Sequence, residues 1–131
     1  TIITFENDIK LWREELIPAT SANKKLAVAF IKSLKSGGGT NISDALEESF
    51  KLAGKGVNDE TELLDVETVF LLSDGEPSAG RYRSTQQILQ KVGEWNELNR
   101  LQIHTVGLGD NHDEEFMRKM AVENNGTYIN K

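Results

Sequence analysis

Apolar and polar residues follow two periodicities in the first half of the chain, and these predict a hairpin and two helices. Thr1 to Phe5 is β-branched and aromatic, and a turn at Asn7-Asp8 separates it from the apolar segment "IKLW", which predicts a β-hairpin. The segment from Asn23 to Lys35 has apolar residues at helical spacing. The same spacing recurs after three glycines and predicts a second helix that Gly54 ends. The apolar positions of the two helices are Leu26, Ala27, Phe30, Ile31 and Leu34, then Ile42, Ala45, Leu46, Ser49 and Phe50.

The second half of the chain contains apolar runs with little polar alternation. The stretch "VETVFLLSDGEP" is apolar from Val66 to Leu72 apart from Glu67 and Thr68. Such a run is typical of a strand that is covered on both faces, and "LQIHTVGLGD" predicts a second strand of this kind. "TYIN" predicts a last short strand, and "KGVNDETELLD" is interpreted as a polar loop.

Two amphipathic helices are predicted between these strands. In "STQQILQKVGEWNEL", Ser84 and Gln87 have the spacing of a capping box, with Ile88, Val92 and Trp95 on the inner face. "DEEFMRKMAVENNG" is a helix that Asp113 caps and Asn125-Gly126 ends. The order after the hairpin is helix, helix, strand, helix, strand, helix, strand, which predicts an α/β fold with a mainly parallel sheet and helices on both faces.

Composition narrows the function classes. A length of 131 residues with 37% hydrophobic and 27% charged residues indicates one globular domain. A net charge of −6 without a basic stripe argues against a nucleic-acid partner. The longest apolar run, "LAVAFI", is far shorter than the roughly 20 residues of a membrane span. The absence of cysteine excludes disulfides, zinc–thiolate sites and thiol catalysis.

Candidate chemistry lies in the loops that follow the predicted strands and the glycines. Ligands of an open α/β sheet bind at the carboxyl ends of its strands, where Gly37 to Thr40, Ser73 to Glu76 and Gly107 to Asp110 are expected. The Asp74 carboxylate and the Thr40 hydroxyl offer hard oxygen ligands of the kind that Mg²⁺ prefers. The structural alternatives remain open here: Thr40 or Asn41 as a helix N-cap, and Asp74 as a cap or turn residue.

Motifs for other functions are incomplete. A phosphate-binding P-loop needs a lysine directly before Ser or Thr, whereas Gly39 precedes Thr40. Gly107 and Gly109 lack the third glycine of a dinucleotide fingerprint. The two histidines, His104 and His112, are not accompanied by a Ser or Cys in a nucleophile turn, so no catalytic triad is predicted. These absences count against the alternative function, a nucleotide- or phosphate-binding α/β domain or an enzyme.

Four blocks of the sequence resemble the von Willebrand factor type A domain, in particular the inter-alpha-trypsin inhibitor heavy chains and their bacterial relatives. These blocks are "IITFENDIKLW", "GGGTNISDAL", "TVFLLSDGEPS" and "IHTVGLGD" with "FMRKMAVENNGTYI", and they span nearly the whole chain. The resemblance implies one doubly wound α/β domain over residues 1–131, and it makes a non-enzymatic protein-binding module the leading hypothesis for the function. It also implies a metal-ion-dependent adhesion site, in which an Asp-x-Ser-x-Ser loop, a Thr and an Asp hold Mg²⁺ or Mn²⁺ and the carboxylate of a protein partner completes the shell.

Only part of that site matches this sequence. Thr40 corresponds to the threonine of the family and Asp74 to its aspartate, and the expected periphery of the site comprises Gly39, Asn41, Ser73, Gly75 and Asp110. The Asp-x-Ser-x-Ser motif of the first strand is absent from these residues. Binding of Mg²⁺ or Mn²⁺ by this chain is therefore predicted to be weak or absent.

The missing first strand also bears on association. The chain begins within a strand pattern, without an initiating Met, and is expected to be a piece of a longer protein. The strand order of the family would place the absent strand between Ile2–Phe5 and Val69–Leu72. We expect these two strands to pair directly, to exchange an element with a second copy in a homo-oligomer, or to accept an upstream segment. The resemblance favours an extracellular or cell-envelope location.

Overall fold

The computed structural model describes residues 1–54, 66–97 and 101–131, in which helices and strands alternate after an initial hairpin. The predicted polar loop from Lys55 to Asp65 lies outside the described residues. The elements are β1 (Ile3–Phe5), β2 (Ile9–Leu11), α1 (Ser21–Ser33), α2 (Ile42–Gly54), β3 (Thr68–Ser73), α3 (Thr85–Trp95), β4 (Gln102–Gly107), α4 (Glu114–Glu123) and β5 (Tyr128–Asn130). This order is the one that the hydrophobic pattern predicts.

The strands form two separate sheets. β1 and β2 pair antiparallel, with Ile3 opposite Leu11, and this confirms the predicted hairpin. β3, β4 and β5 form a parallel sheet in that order. The α/β fold class with a mainly parallel sheet is thereby confirmed. β1 and β3 belong to different sheets, so direct pairing, the first of the three expected arrangements, is not the one adopted.

One face of the parallel sheet packs against α2, α3 and α4 and forms the core. Leu71 of β3 and Ile103 of β4 point to this face, where the buried apolar side chains of the three helices meet them. The helix residues in this core are Ile42, Leu46, Ile88, Val92, Phe116, Met117 and Met120. The inner face predicted for α3 is confirmed, since Ile88 and Val92 are buried and Trp95 packs against the cluster.

The opposite face of the parallel sheet is open among the described residues, which corrects one prediction. Phe70 is 66% exposed and Leu72 is 50% exposed, although an apolar run without alternation predicts burial of both faces. Phe70 stacks on His104 of β4, with 5.0 Å between ring centroids. The prediction fails because an apolar run shows that both faces suit burial, but it does not identify an element that covers them.

Helix α1 is also exposed on its apolar side. Leu26 and Ile31 are exposed, as is Leu34 directly after the helix, and no residue of α1 is buried. Phe30 of this helix stacks on Trp12, with 6.1 Å between the ring centroids. No helix in the described ranges is long and apolar enough to cross a membrane.

The helix ends follow the capping prediction in one case and depart from it in another. The Asp113 side chain accepts a hydrogen bond from the backbone N–H of Phe116 at 2.9 Å, as predicted for the start of α4. After α4, Asn125 adopts a positive φ of 55°, a conformation that Asn tolerates at a helix end. The capping box predicted at Ser84 is wrong, because the Ser84 side chain makes no cap hydrogen bond.

Candidate site at the carboxyl edge of the sheet

Thr40 is held between two loops at the edge where the parallel strands end. Its backbone N–H donates to Ser78 Oγ at 2.9 Å, and its carbonyl accepts from the N–H of Ser78 at 3.1 Å. The Thr40 hydroxyl points toward Gly75: a Cβ added to Gly75 would lie 3.2 Å from Thr40 Oγ1. The hydroxyl therefore lies beside the residue that follows Asp74.

Asp74 is exposed directly after the last residue of β3. The buried Ser73 before it donates its hydroxyl to the carbonyl of Gly75 at 3.0 Å, and this bond shapes the turn. The next helix is α3, whose N-cap is Ser84, so Asp74 does not serve as a helix cap. Of the two structural roles considered for Asp74, a helix cap and a turn residue, only the second agrees with the structure.

The glycines before Thr40 permit a close approach of loops. Gly38 has a φ of +76°, in the region that favours glycine. A Cβ on Gly39 would lie 2.7 Å from Asn7 Oδ1 and 3.0 Å from Ala79 Cβ. The Gly39 N–H donates to the same Asn7 oxygen at 3.0 Å. Glycine at position 39 thus lets the segment fit between the β1–β2 turn and the loop after β3.

Asn41, and not Thr40, caps helix α2. The N–H of Asp44 donates to Asn41 Oδ1 at 3.1 Å, the bond expected of an N-cap residue. Asn41 also donates its own N–H to the carbonyl of Glu6 and its side-chain amide to the carbonyl of Asn7, both at 2.9 Å. Of the two residues considered for the N-cap, Asn41 has this role, and the Thr40 hydroxyl takes no part in capping.

A polar cluster that the sequence patterns did not single out supports the start of α2. Ser43 is buried, and its hydroxyl donates to Asp44 and accepts from the backbone N–H of Tyr82 at 3.2 Å. Burial alone would raise the pKa of Asp44, but hydrogen bonds from Asn41, from the N–H of Arg81 and from Ser43 hold that pKa below its usual value. Asn41 is the N-cap residue and Asp44 is the third residue of α2. This spacing of a cap residue and an acidic residue is the sequence pattern from which the cluster could have been predicted.

Asp110 lies on the same edge, in the turn after β4. That turn is tied to the end of β3, because the Leu108 N–H donates to the carbonyl of Ser73 at 2.9 Å. Asp110 is exposed. The nearby His112 lies between the carbonyl of Gly109, at 2.8 Å, and the Tyr128 hydroxyl, at 2.7 Å, which is a structural role.

Comparison with known proteins assigns the chain to a family. A sequence profile of the von Willebrand factor type A domain matches residues 1–129. The chain belongs to this family. The resemblance seen in the sequence is confirmed, and with it the α/β fold that the family implies.

Similar full-length proteins are much longer than this von Willebrand factor A domain. The human inter-alpha-trypsin inhibitor heavy chain H2 is 30% identical over 129 residues, which cover 96% of this chain and 13% of that protein. The human heavy chain H3 is 32% identical over 127 residues, 95% of this chain and 14% of that protein. The chain therefore spans about one eighth of the curated relatives that it matches.

A solved structure shows the same fold. Proximal thread matrix protein 1 from the mussel byssus, described with a zinc-occupied MIDAS motif, superposes with a TM-score of 0.66 at 15% identity. The match covers 98% of this A domain and 31% of the mussel chain. At this identity the similarity establishes the fold.

The donor set of this A domain fits part of a metal site. Thr40 and Asp74 offer one hydroxyl and one carboxylate, the hard oxygen donors that suit Mg²⁺ or Mn²⁺. Within the ranges 1–54, 66–97 and 101–131, no group of three or more His, Cys, Asp or Glu side chains is placed to hold a metal ion. The two donors fit the chemistry of such an ion but leave most of an octahedral shell to water and to other groups.

Proposed function

We propose that this domain is a non-enzymatic protein-binding module in which Thr40 and Asp74 contribute to a Mg²⁺- or Mn²⁺-dependent site for a partner's carboxylate. The observation that carries the proposal is the direction of the Thr40 hydroxyl, which points to Gly75 while Asn41 serves as the cap. A threonine needed only for the helix would use its hydroxyl at the cap. Here the hydroxyl faces the turn that presents Asp74.

The metal would supply a positive charge that a carboxylate of the partner can bind. Thr40 would contribute its hydroxyl oxygen and Asp74 its carboxylate. Gly39, Asn41, Ser73 and Gly75 would shape the surroundings through the backbone contacts described above. The mussel relative with its zinc-occupied motif supports metal binding as a property open to this fold.

Because two protein donors are few for an ion that gives up water reluctantly, we predict weak binding of Mg²⁺ and Mn²⁺ by residues 1–131. Asp74→Asn should weaken Mn²⁺ binding at least about tenfold, since a charged ligand is lost, and Thr40→Val should weaken it less. Calorimetric titration with Mg²⁺ and Mn²⁺ measures both effects. Glu97→Gln, which removes an exposed carboxylate after α3, is the control for net charge.

Tight Mn²⁺ binding that neither Asp74→Asn nor Thr40→Val alters would show that the ion binds elsewhere. A parallel titration with ATP tests the alternative of a nucleotide-binding domain. Saturable ATP binding without metal binding would favour that alternative and contradict the proposal.

We infer that partners also bind through the strand edges. β1 and β3 each have one strand partner in the described part of the chain, and their carboxyl ends approach the same segment at Thr40 and Asn41. Unpaired strand edges recruit other strands. A second copy of the chain that supplies such a strand would produce a homo-oligomer. The family resemblance supports placing this association outside the cell or in the cell envelope.

Sedimentation velocity over a range of concentrations tests this association. We expect reversible self-association that Leu72→Lys weakens, because a charge on the open face of β3 opposes strand addition. Val122→Lys, at an exposed position of α4, should leave it unchanged. A monomer at every concentration would argue against a strand from a second copy.

A further inference from the structure

The loop from Gly75 to Tyr82 connects the predicted metal ligands through Ser78. The Ser78 hydroxyl accepts a hydrogen bond from the N–H of Thr40, and the Ser78 N–H donates to the carbonyl of the same residue. The N–H of Ala79 donates to that carbonyl as well, at 3.4 Å. Both backbone groups of Thr40 are therefore fixed by a loop that begins next to Asp74.

The far end of this loop is anchored in the interior. The N–H of Arg81 donates to Asp44 Oδ1 at 3.1 Å, and the N–H of Tyr82 donates to the buried Ser43 hydroxyl. Gly80, with a φ of +93°, lies against Asn41 with no room for a side chain. The loop is thus held at Ser73 and Gly75 on one side and by the cap of α2 on the other.

We propose that Ser78 is a positioning residue for the Thr40 hydroxyl. This rests on the proposed function in one respect, namely that Thr40 is a metal ligand. Without the Ser78 hydroxyl, the N–H of Thr40 loses its partner, and rotation about the Thr40 backbone is no longer restrained on that side. The Thr40 side chain then loses its fixed direction toward Gly75, the residue that follows Asp74.

The experiment compares Ser78→Ala with Ser78→Thr, which keeps a hydroxyl, and with Ser84→Ala as the matched control. Ser84 is an exposed serine whose side chain makes no cap hydrogen bond. Hydrogen exchange at the Thr40 amide is measured first, without metal. We expect Ser78→Ala to speed this exchange about fivefold or more, the factor for one lost hydrogen bond. Ser78→Thr should restore the slow rate, and Ser84→Ala should not change it.

Mn²⁺-induced broadening of the Thr40 and Gly75 amide signals is then measured in each variant. We expect about fivefold weaker Mn²⁺ binding in Ser78→Ala and normal binding in Ser78→Thr. A general loss of stability would instead speed hydrogen exchange at the amides of α3 and α4 as much as at Thr40.

Unchanged Thr40 exchange in Ser78→Ala would overturn the inference whether or not metal binds. Altered exchange with unchanged Mn²⁺ binding would overturn the role of Ser78 in positioning a ligand. Absence of broadening in the unmutated chain would contradict the proposed function and leave the exchange result to decide how Ser78 acts on Thr40.

Discussion

Phe116→Ala should lower the free energy of unfolding by about 3–5 kcal/mol, the usual effect of truncating a buried phenylalanine. Phe116 is 2% exposed and belongs to the core cluster between α4 and the parallel sheet. Its removal leaves a cavity in this cluster, which also contains Met117, Met120 and Ile103, and the backbone of α4 cannot close it fully. Such a loss is a large part of the stability of an ordinary domain.

Val122→Ala is the matched control for this truncation. Val122 lies in the same helix but is 69% exposed, so we expect a change within about 0.5 kcal/mol. Chemical denaturation of the three proteins measures both effects. Equal destabilisation by the two variants would show that α4 does not pack on the sheet through Phe116.

Gly80→Ala should destabilise the domain by about 3 kcal/mol through strain and a steric clash. Gly80 has a φ of +93°, which an alanine adopts at a cost, and its Cβ would overlap Asn41 Oδ1 and lie 2.6 Å from Ser43 Oγ. The buried Asn41 would have to move and leave the cap of α2. That movement would also release the loop that holds Thr40.

Gly93→Ala is the control that tests whether the loss of stability in Gly80→Ala depends on the position or follows from any replacement of glycine by alanine. Gly93 lies within α3, and apart from the backbone of its own helix no atom lies within 4 Å of an added Cβ. Alanine there should stabilise the helix, by up to about 1 kcal/mol. Thermal and denaturant unfolding measure both variants. A Gly80→Ala protein as stable as the unmutated chain would contradict the described packing of this loop on the cap of α2.

The elements were predictable because their signals are local. Periodic apolar residues mark α2, α3 and α4, and Asp113 marks the start of α4 by a bond to a residue three positions on. The hairpin follows from a short turn between two β-prone segments. Each of these signals depends on residues that are close in the sequence.

The candidate site was predictable only as a set of loops. The glycine segment and the end of β3 indicate where Thr40 and Asp74 lie, but the bond that orients Thr40 comes from Ser78, 38 residues away. No pattern within a loop predicts such a partner. The open face at Phe70 and Leu72 shows the same limit, since hydrophobicity indicates a need for cover but not the element that provides it.

Metal binding by Thr40 and Asp74 is tested most directly by a map of Mn²⁺-induced broadening over all backbone amide signals of the unmutated chain. We predict that broadening is strongest at residues 39–41 and 74–76 and that Asp74→Asn removes it. Strongest broadening at the acidic first turn of α4, at Glu114 and Glu115, or broadening at residues 39–41 that Asp74→Asn leaves intact, would contradict this prediction.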